Sequence, residues 1–201
     1  MALLRFGCAL GTFGLLTWIA SSPMIHRWDE WVTIWLQRTA PIPDLPAAML
    51  VLLGNAEAVI LGLVLAAIVF WRQDRRRSTA ALWLGGGVAI VGLVAVGLKH
   101  LIVHPGPPPA LQRIVLNAGL QLPTPYSYPS GHTLRTTLLA GTIFRRVPLF
   151  AAALVLGMMA ALVYLGDHWL SDVLGGLCLG WASVEVAGAV RTARFRNCRR
   201  G

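Results

Sequence analysis

A short polar segment, Pro-Ser-Gly-His-Thr-Leu-Arg at residues 129–135, interrupts an otherwise apolar chain. A turn that leads into a helix leaves backbone N–H groups without partners, and the helix dipole makes them a binding site for anions. Gly131 lets the backbone approach such a ligand closely. His132 offers a proton, and Arg135 follows one turn later on nearly the same face. This spacing favours an oxyanion such as phosphate, although a capped helix start without a ligand has the same pattern.

A second polar segment, Asp-His-Trp-Leu-Ser-Asp at residues 167–172, contains a histidine and a carboxylate one helical turn apart. Asp172 in that position fixes the tautomer of His168 and raises its basicity, which leaves the other ring nitrogen free. Such a histidine can attack phosphorus and form a covalent intermediate. A structural hydrogen bond is the alternative for a lone His–Asp pair.

A metal site is a further alternative for these polar groups. Its ligands would be four side chains: His132, His168, Asp167 and Asp172. None of their pairs has a familiar ligand spacing such as His-Glu-x-x-His, so the sequence predicts no metal.

The composition predicts a membrane protein. Hydrophobic residues make up 56% of the 201 residues and charged residues 12%, whereas soluble domains carry about 25% charged residues. Several apolar runs are close to 20 residues, the length that spans a bilayer. We therefore predict an all-α integral membrane domain over residues 1–201 with six transmembrane helices, at 6–22, 46–71, 80–103, 131–147, 148–166 and 172–190. The first of these also fits a cleavable signal peptide.

Arginines are distributed unevenly between the predicted loops. Twelve lie on the side that holds both termini, including the basic tail 191–201, and three lie on the other side: Arg27, Arg38 and Arg113. Because basic loops stay inside, both termini are predicted to be cytoplasmic, in a bacterial cytoplasmic membrane. The basic residues form short clusters between apolar runs, which argues against nucleic acid as a partner.

Two further segments are predicted on the outer side. Residues 27–38 place three tryptophans on one helical face, which is typical of a helix lying in the membrane interface; guiding a lipid substrate is the alternative role. Residues 104–130 form a long, proline-rich outer loop, and loops of this length are often functional. The polar groups at Lys99, 130–132 and 167–172 all lie at outer ends of spans, so the bundle can bring them together.

These residues together resemble the type 2 phosphatidic acid phosphatase superfamily of membrane lipid phosphatases. The family's first motif, a lysine followed at a distance by Arg-Pro, is similar to KHLIVHPGP at 99–107. The second, Pro-Ser-Gly-His, is intact at 129–132. The third, Ser-Arg followed by His and by Asp four residues later, is similar to ALVYLGDHWLSD at 161–172. The resemblance covers roughly residues 80–190.

The resemblance implies a role for each matching residue. His168 would be the nucleophile that becomes a phosphohistidine, and Asp172 would orient it. His132 would protonate the leaving oxygen. The phosphoryl oxygens would be held by Lys99, Ser130 and the backbone of Gly131. The family requires no metal, so no metal or other cofactor is expected.

Two arginines of the family pattern are missing. The arginine of the first motif falls on Gly106, and the Ser-Arg of the third falls on Ala161 and Leu162. Phosphoryl transfer depends strongly on such cations. Three residues are predicted as replacements, the first being the strongest candidate: Arg135, Arg113 and His104.

The sequence thus predicts a metal-independent phosphatase that hydrolyses a lipid phosphate or diphosphate monoester at the outer leaflet. Phosphoryl transfer from the same intermediate to an alcohol is one alternative. Binding of anionic lipid without turnover is another, because the motif arginines are missing. Polyprenyl diphosphate, phosphatidic acid and phosphatidylglycerol phosphate fit equally well as substrates. No pattern indicates an oligomeric state.

Overall fold

The computed structural model of the protein describes residues 2–20, 22–113 and 124–197. Within these ranges the chain is all-helical, as predicted, with one 3₁₀ turn at Pro109–Leu111 and no strand. The α-helices are α1 (Ala2–Ala20), α2 (Pro23–Thr39), α3 (Asp44–Leu53), α4 (Ala56–Phe70), α5 (Arg75–Leu101), α6 (Gly131–Ile143), α7 (Pro148–Leu165) and α8 (Leu170–Asn197).

Four helices in the described ranges are long and apolar enough to cross a membrane. These spans are Leu3–Ala20, Arg77–Leu101, Pro148–Leu165 and Leu170–Ala189. Helices α3 and α4 pass the same test together, as a fifth span that is bent by 57°. The structure therefore confirms an all-helical chain with four candidate membrane spans, or five with the bent pair, and does not confirm six.

The predicted span 131–147 is shorter in the structure. Helix α6 has 13 residues, or about 20 Å at 1.5 Å per residue, against a hydrocarbon core of about 30 Å. Ser130 caps its start, and the turn before Pro148, where α7 begins, ends it. The apolar composition of residues 131–147 did not indicate that the helix ends at Ile143.

The predicted span 46–71 is two helices with a break at Gly54 and Asn55. Asn55 has extended backbone angles at the start of α4. A Cβ on Gly54 would lie 2.8 Å from Cε of Met158 and 3.1 Å from Cδ2 of His132, so the backbone approaches both side chains closely. Gly-Asn is a turn signal, but it lies inside a continuous apolar run that predicts one helix.

Helix α2 contains the predicted segment 27–38 and has two different faces. Trp28, Trp31 and Trp35 are exposed and contact one another in series, with ring centroids 5.7 and 6.2 Å apart. The opposite face buries Asp29 and Thr33. An interfacial position of this helix stays a prediction.

The main apolar core lies where α7 meets α3, α6 and α8. Met158 and Leu162 of α7 pack there with Ala48 of α3 and Val173 of α8. A smaller cluster joins α4, α5 and α6. Many large apolar side chains on α1, α4 and α5 point outward, which suits helices surrounded by lipid.

The predicted loop 104–130 is attached to the bundle near both of its ends. The Arg113 N–H donates to the Leu165 carbonyl over 2.9 Å, and Gln37 donates to the Leu111 carbonyl over 2.8 Å. On the returning side, Ser127 donates from its N–H and its hydroxyl to the His104 carbonyl. Residues 114–123 of this loop and 198–201 of the predicted tail lie outside the described residues, while residues 191–197 continue α8.

Candidate active site

His168 and Asp172 form a buried pair at the start of α8. Nδ1 of His168 lies 3.2 Å from Oδ2 of Asp172, and the Trp169 N–H donates to the same oxygen over 2.9 Å. His168 is 7% exposed and Asp172 is 0% exposed. A carboxylate in the first turn of a helix is also favoured by the helix dipole. Because Nδ1 faces the carboxylate, Nε2 is the nitrogen available to a substrate.

Helix α6 begins beside this pair. The Ser130 N–H donates to the Asp172 carbonyl over 3.0 Å, and the Ser130 hydroxyl accepts from the Thr133 N–H. A Cβ on Gly176 of α8 would collide with the Ser130 carbonyl, so a glycine is needed for the two helices to come this close. The Pro-Ser-Gly-His turn is thereby fixed next to the His–Asp pair.

His132 and His168 face each other across a short gap. Their ring centroids are 6.3 Å apart at an interplanar angle of 62°. The structure thus places the two predicted catalytic imidazoles near each other, beside the starts of α6 and α8.

The break between α3 and α4 contacts this site. Nε2 of His132 lies 2.7 Å from Oδ1 of Asn55, and Nε of Arg135 donates to the Gly54 carbonyl over 2.9 Å. A Cβ on Gly131 would lie 3.0 Å from Nη1 of Arg135, so the guanidinium lies against the first turn of α6. Sequence reasoning missed Gly54 and Asn55, for which the Gly-Asn turn signal was the available clue.

Lys99 joins the same group from the end of α5. It is partly buried, and its charge acts on His132, Asp172 and Arg135. The structure thus brings together the predicted residues of all three motifs. In the described residues, no group of three or more His, Cys, Asp or Glu side chains is arranged to hold a metal ion.

Arg113 lies outside this group. Its Nε donates to Oδ1 of Asp44 over 2.9 Å, and its guanidinium carbon lies 4.8 Å from the Tyr164 ring centroid. The Tyr164 hydroxyl donates to the same carboxylate over 2.9 Å. Arg113 therefore forms an ion pair that attaches the loop to α3 and α7.

His104 lies against Asp172 rather than beside the gap between the two imidazoles. It is 0% exposed, with Nε2 lying 3.4 Å from Oδ1 of Asp172 and 3.1 Å from the Ser171 hydroxyl. Burial lowers the pKa of His104, against the opposing effect of Asp172. The sequence predicted His104 as a phosphate ligand and did not indicate these contacts with Asp172 and Ser171.

Asp29 of α2 is a further buried carboxylate near the site. Oδ1 accepts from the Ser171 N–H over 2.9 Å, and Oδ2 accepts from the Ser171 hydroxyl over 2.6 Å. Burial raises the pKa of Asp29, partly offset by these hydrogen bonds. No local pattern indicated this contact, because Asp29 occurs in a segment that predicted only a membrane-surface helix.

Comparison with known proteins identifies a family over the part of the chain that contains this site. The PAP2 superfamily pattern matches residues 80–196, a range that contains Lys99, Ser130, His132, His168 and Asp172. No curated protein matches the sequence. The fold is similar to the crystal structure of a transmembrane PAP2-type phosphatidylglycerolphosphate phosphatase from Bacillus subtilis. The TM-score is 0.75 at 19% identity, over 94% of this chain and 96% of that chain.

Proposed function

The chain belongs to the PAP2 superfamily, and from this membership we propose that it hydrolyses a lipid phosphate or diphosphate monoester through a phosphohistidine. The observation that carries the proposal is the arrangement of His168, oriented by Asp172, opposite His132. The phosphatase fold of a neighbour with 19% identity supports the architecture alone.

The chemistry needs two steps on one phosphorus atom. Nε2 of His168 attacks phosphorus, the bond from phosphorus to the ester oxygen breaks, and His132 gives its proton to the leaving oxygen. Water then attacks the phosphohistidine and loses a proton to His132, and the N–P bond breaks. Asp172 stabilises the positive charge that develops on the His168 ring.

The phosphoryl oxygens would be bound by the start of α6 and by two cations. The amides that follow Ser130 provide an anion site at a helix N-terminus. Lys99 provides a point charge. Arg135 would replace the missing motif arginines as a phosphate ligand. Its Nε donates to the Gly54 carbonyl, and its Nη1 lies beside Gly131 at the start of α6.

This set of charges needs no metal, so activity in the presence of EDTA is part of the proposal. The arginine asymmetry of the loops supports an outer-leaflet substrate.

The decisive experiment is phosphate release from a panel of lipid phosphates by purified protein in detergent, with and without EDTA. We expect release from at least one lipid, unaffected by EDTA, and an acid-labile phosphoprotein in rapidly quenched samples. Loss of release on chelation, restored by a divalent ion, would indicate a metal mechanism. Phosphate recovered on an added alcohol would indicate a transferase, and lipid binding without release would indicate a binding protein.

A further inference from the structure

Asp172 has a second set of contacts, on the carboxylate oxygen that does not face His168. Within the described residues Oδ1 accepts no hydrogen bond although it is buried. Nε2 of His104 lies 3.4 Å from it, in ion-pair range but without the geometry of a hydrogen bond. Burying a carboxylate oxygen without a partner costs free energy, so a polar group close to Oδ1 stabilises Asp172 in its contact with His168.

The proton on this nitrogen follows from the contacts of Ser171. The Ser171 hydroxyl donates its one proton to Oδ2 of Asp29 over 2.6 Å, so towards His104 it can only accept. Nε2 of His104 is therefore protonated and donates to the Ser171 hydroxyl, and this nitrogen also lies 3.4 Å from Oδ1 of Asp172, where its N–H dipole faces the carboxylate charge. This assignment comes from the hydrogen-bond pattern.

The His104 ring is held in place from two sides. His26 of α2 stacks on it, with ring centroids 4.7 Å apart and an interplanar angle of 12°. Tyr128 packs edge-on against it, with centroids 5.9 Å apart. A ring packed in this way keeps its N–H aimed at one point, as an orienting group must.

We propose that His104, held by Asp29 and Ser171, is a positioning residue that fixes the Asp172 carboxylate and through it the nucleophile His168. The inference rests on the proposed function and replaces the sequence-based expectation that His104 binds phosphate. Asp29 completes the arrangement as a second carboxylate, which binds the backbone N–H and the hydroxyl of the residue next to Asp172.

The role predicts an effect on chemistry and not on substrate binding. His104→Ala should lower kcat about tenfold, as loss of an outer-shell partner typically does, with KM changed less than twofold. His104→Gln should recover most of the rate, because its amide nitrogen can donate from a similar position. Ser171→Ala, which removes the acceptor of the His104 N–H, should lower kcat in the same way.

Measurements on His104→Ala, His104→Gln and Ser171→Ala in detergent test this, with His100→Ala as a matched control from the exposed end of α5. A raised KM and weaker inhibition by vanadate, at unchanged kcat, would make His104 a phosphate ligand and overturn the proposal. Wild-type rates in His104→Ala and Ser171→Ala would also overturn it. Thermal unfolding of each variant identifies losses that come from misfolding, and His104→Gln and Ser171→Ala keep the test open if His104→Ala does not fold.

A readout without turnover separates this inference from the proposed function. In ¹⁵N-histidine-labelled protein, NMR should show His168 in the tautomer that is protonated at Nδ1, and a mixture of tautomers in His104→Ala. The same His168 spectrum in both proteins would overturn the positioning role. If the wild-type protein releases no phosphate but the His168 tautomers still differ between wild type and His104→Ala, only the proposed function is contradicted.

Discussion

At the scale of single residues, the nucleophile gives the most direct prediction. His168→Ala should abolish phosphate release and phosphoprotein formation, because Nε2 of this ring is the atom that the Asp172 contact leaves for attack. The variant should remain folded, which thermal unfolding checks. Residual release above about a tenth of wild type, a loss of only about 1.4 kcal/mol, would exclude the role.

Arg135 and Arg113 form a matched pair for testing the phosphate clamp. Arg135→Ala should lower kcat/KM at least tenfold, about 1.4 kcal/mol of transition-state stabilisation. Arg135→Lys should recover only part of the lost kcat/KM, because the lysine point charge lacks the planar fork of guanidinium. Arg113→Ala should stay near wild type because that side chain is paired with Asp44. Steady-state phosphate release measures all three, and the reverse ranking would assign the clamp to the loop.

Contacts between neighbours in sequence were predictable at this scale, and contacts between distant residues were not. His168 and Asp172 are four residues apart, and Asp172 is the third residue of α8, a position from which a carboxylate reaches back to the residues just before the helix. Ser171 and Asp29 are 142 residues apart. Their pairing depends on how α2 packs against α8, which no local pattern encodes.

At the scale of elements, the break between α3 and α4 matters because it contains Asn55, which contacts His132. Asn55 lies outside residues 80–196, the range matched to the family, and we nevertheless expect it to affect catalysis. Asn55→Ala should lower kcat about fivefold, because a hydrogen bond of about 1 kcal/mol to His132 is lost. Gly62→Ala in the same helix is the control, since a Cβ there meets nothing within 4 Å. Equal rates in Asn55→Ala and the control, measured by phosphate release, would show that His132 does not depend on the break.

Helix existence was easier to predict than helix ends. The runs that became α1, α5, α7 and α8 are apolar over at least 18 residues, and length and hydropathy are sufficient for these. Helix α3 ends before Gly54, where the backbone packs closely against Met158 and His132. These contacts come from tertiary packing, which the local sequence does not encode.

At the scale of the whole molecule, the charge asymmetry of the loops predicts which side of the membrane holds the site. In a chain without its native cysteines, Thr124→Cys in the loop should react with a membrane-impermeant maleimide in intact cells. Arg145→Cys, in the exposed turn after α6, should react only after the membrane is permeabilised. Labelling in the opposite order would place the site on the cytoplasmic side.

The shortness of α6 sets the depth of the reaction centre. If the turn at Arg145 and Arg146 lies at one membrane interface, a helix of about 20 Å ends about 10 Å short of the opposite edge of a 30 Å hydrocarbon layer. His132, at that end, then lies below the level of the lipid headgroups. The headgroup phosphate must descend to meet the two imidazoles, and water must follow it. A dephosphorylated lipid would need no extraction, because its acyl chains never leave the bilayer.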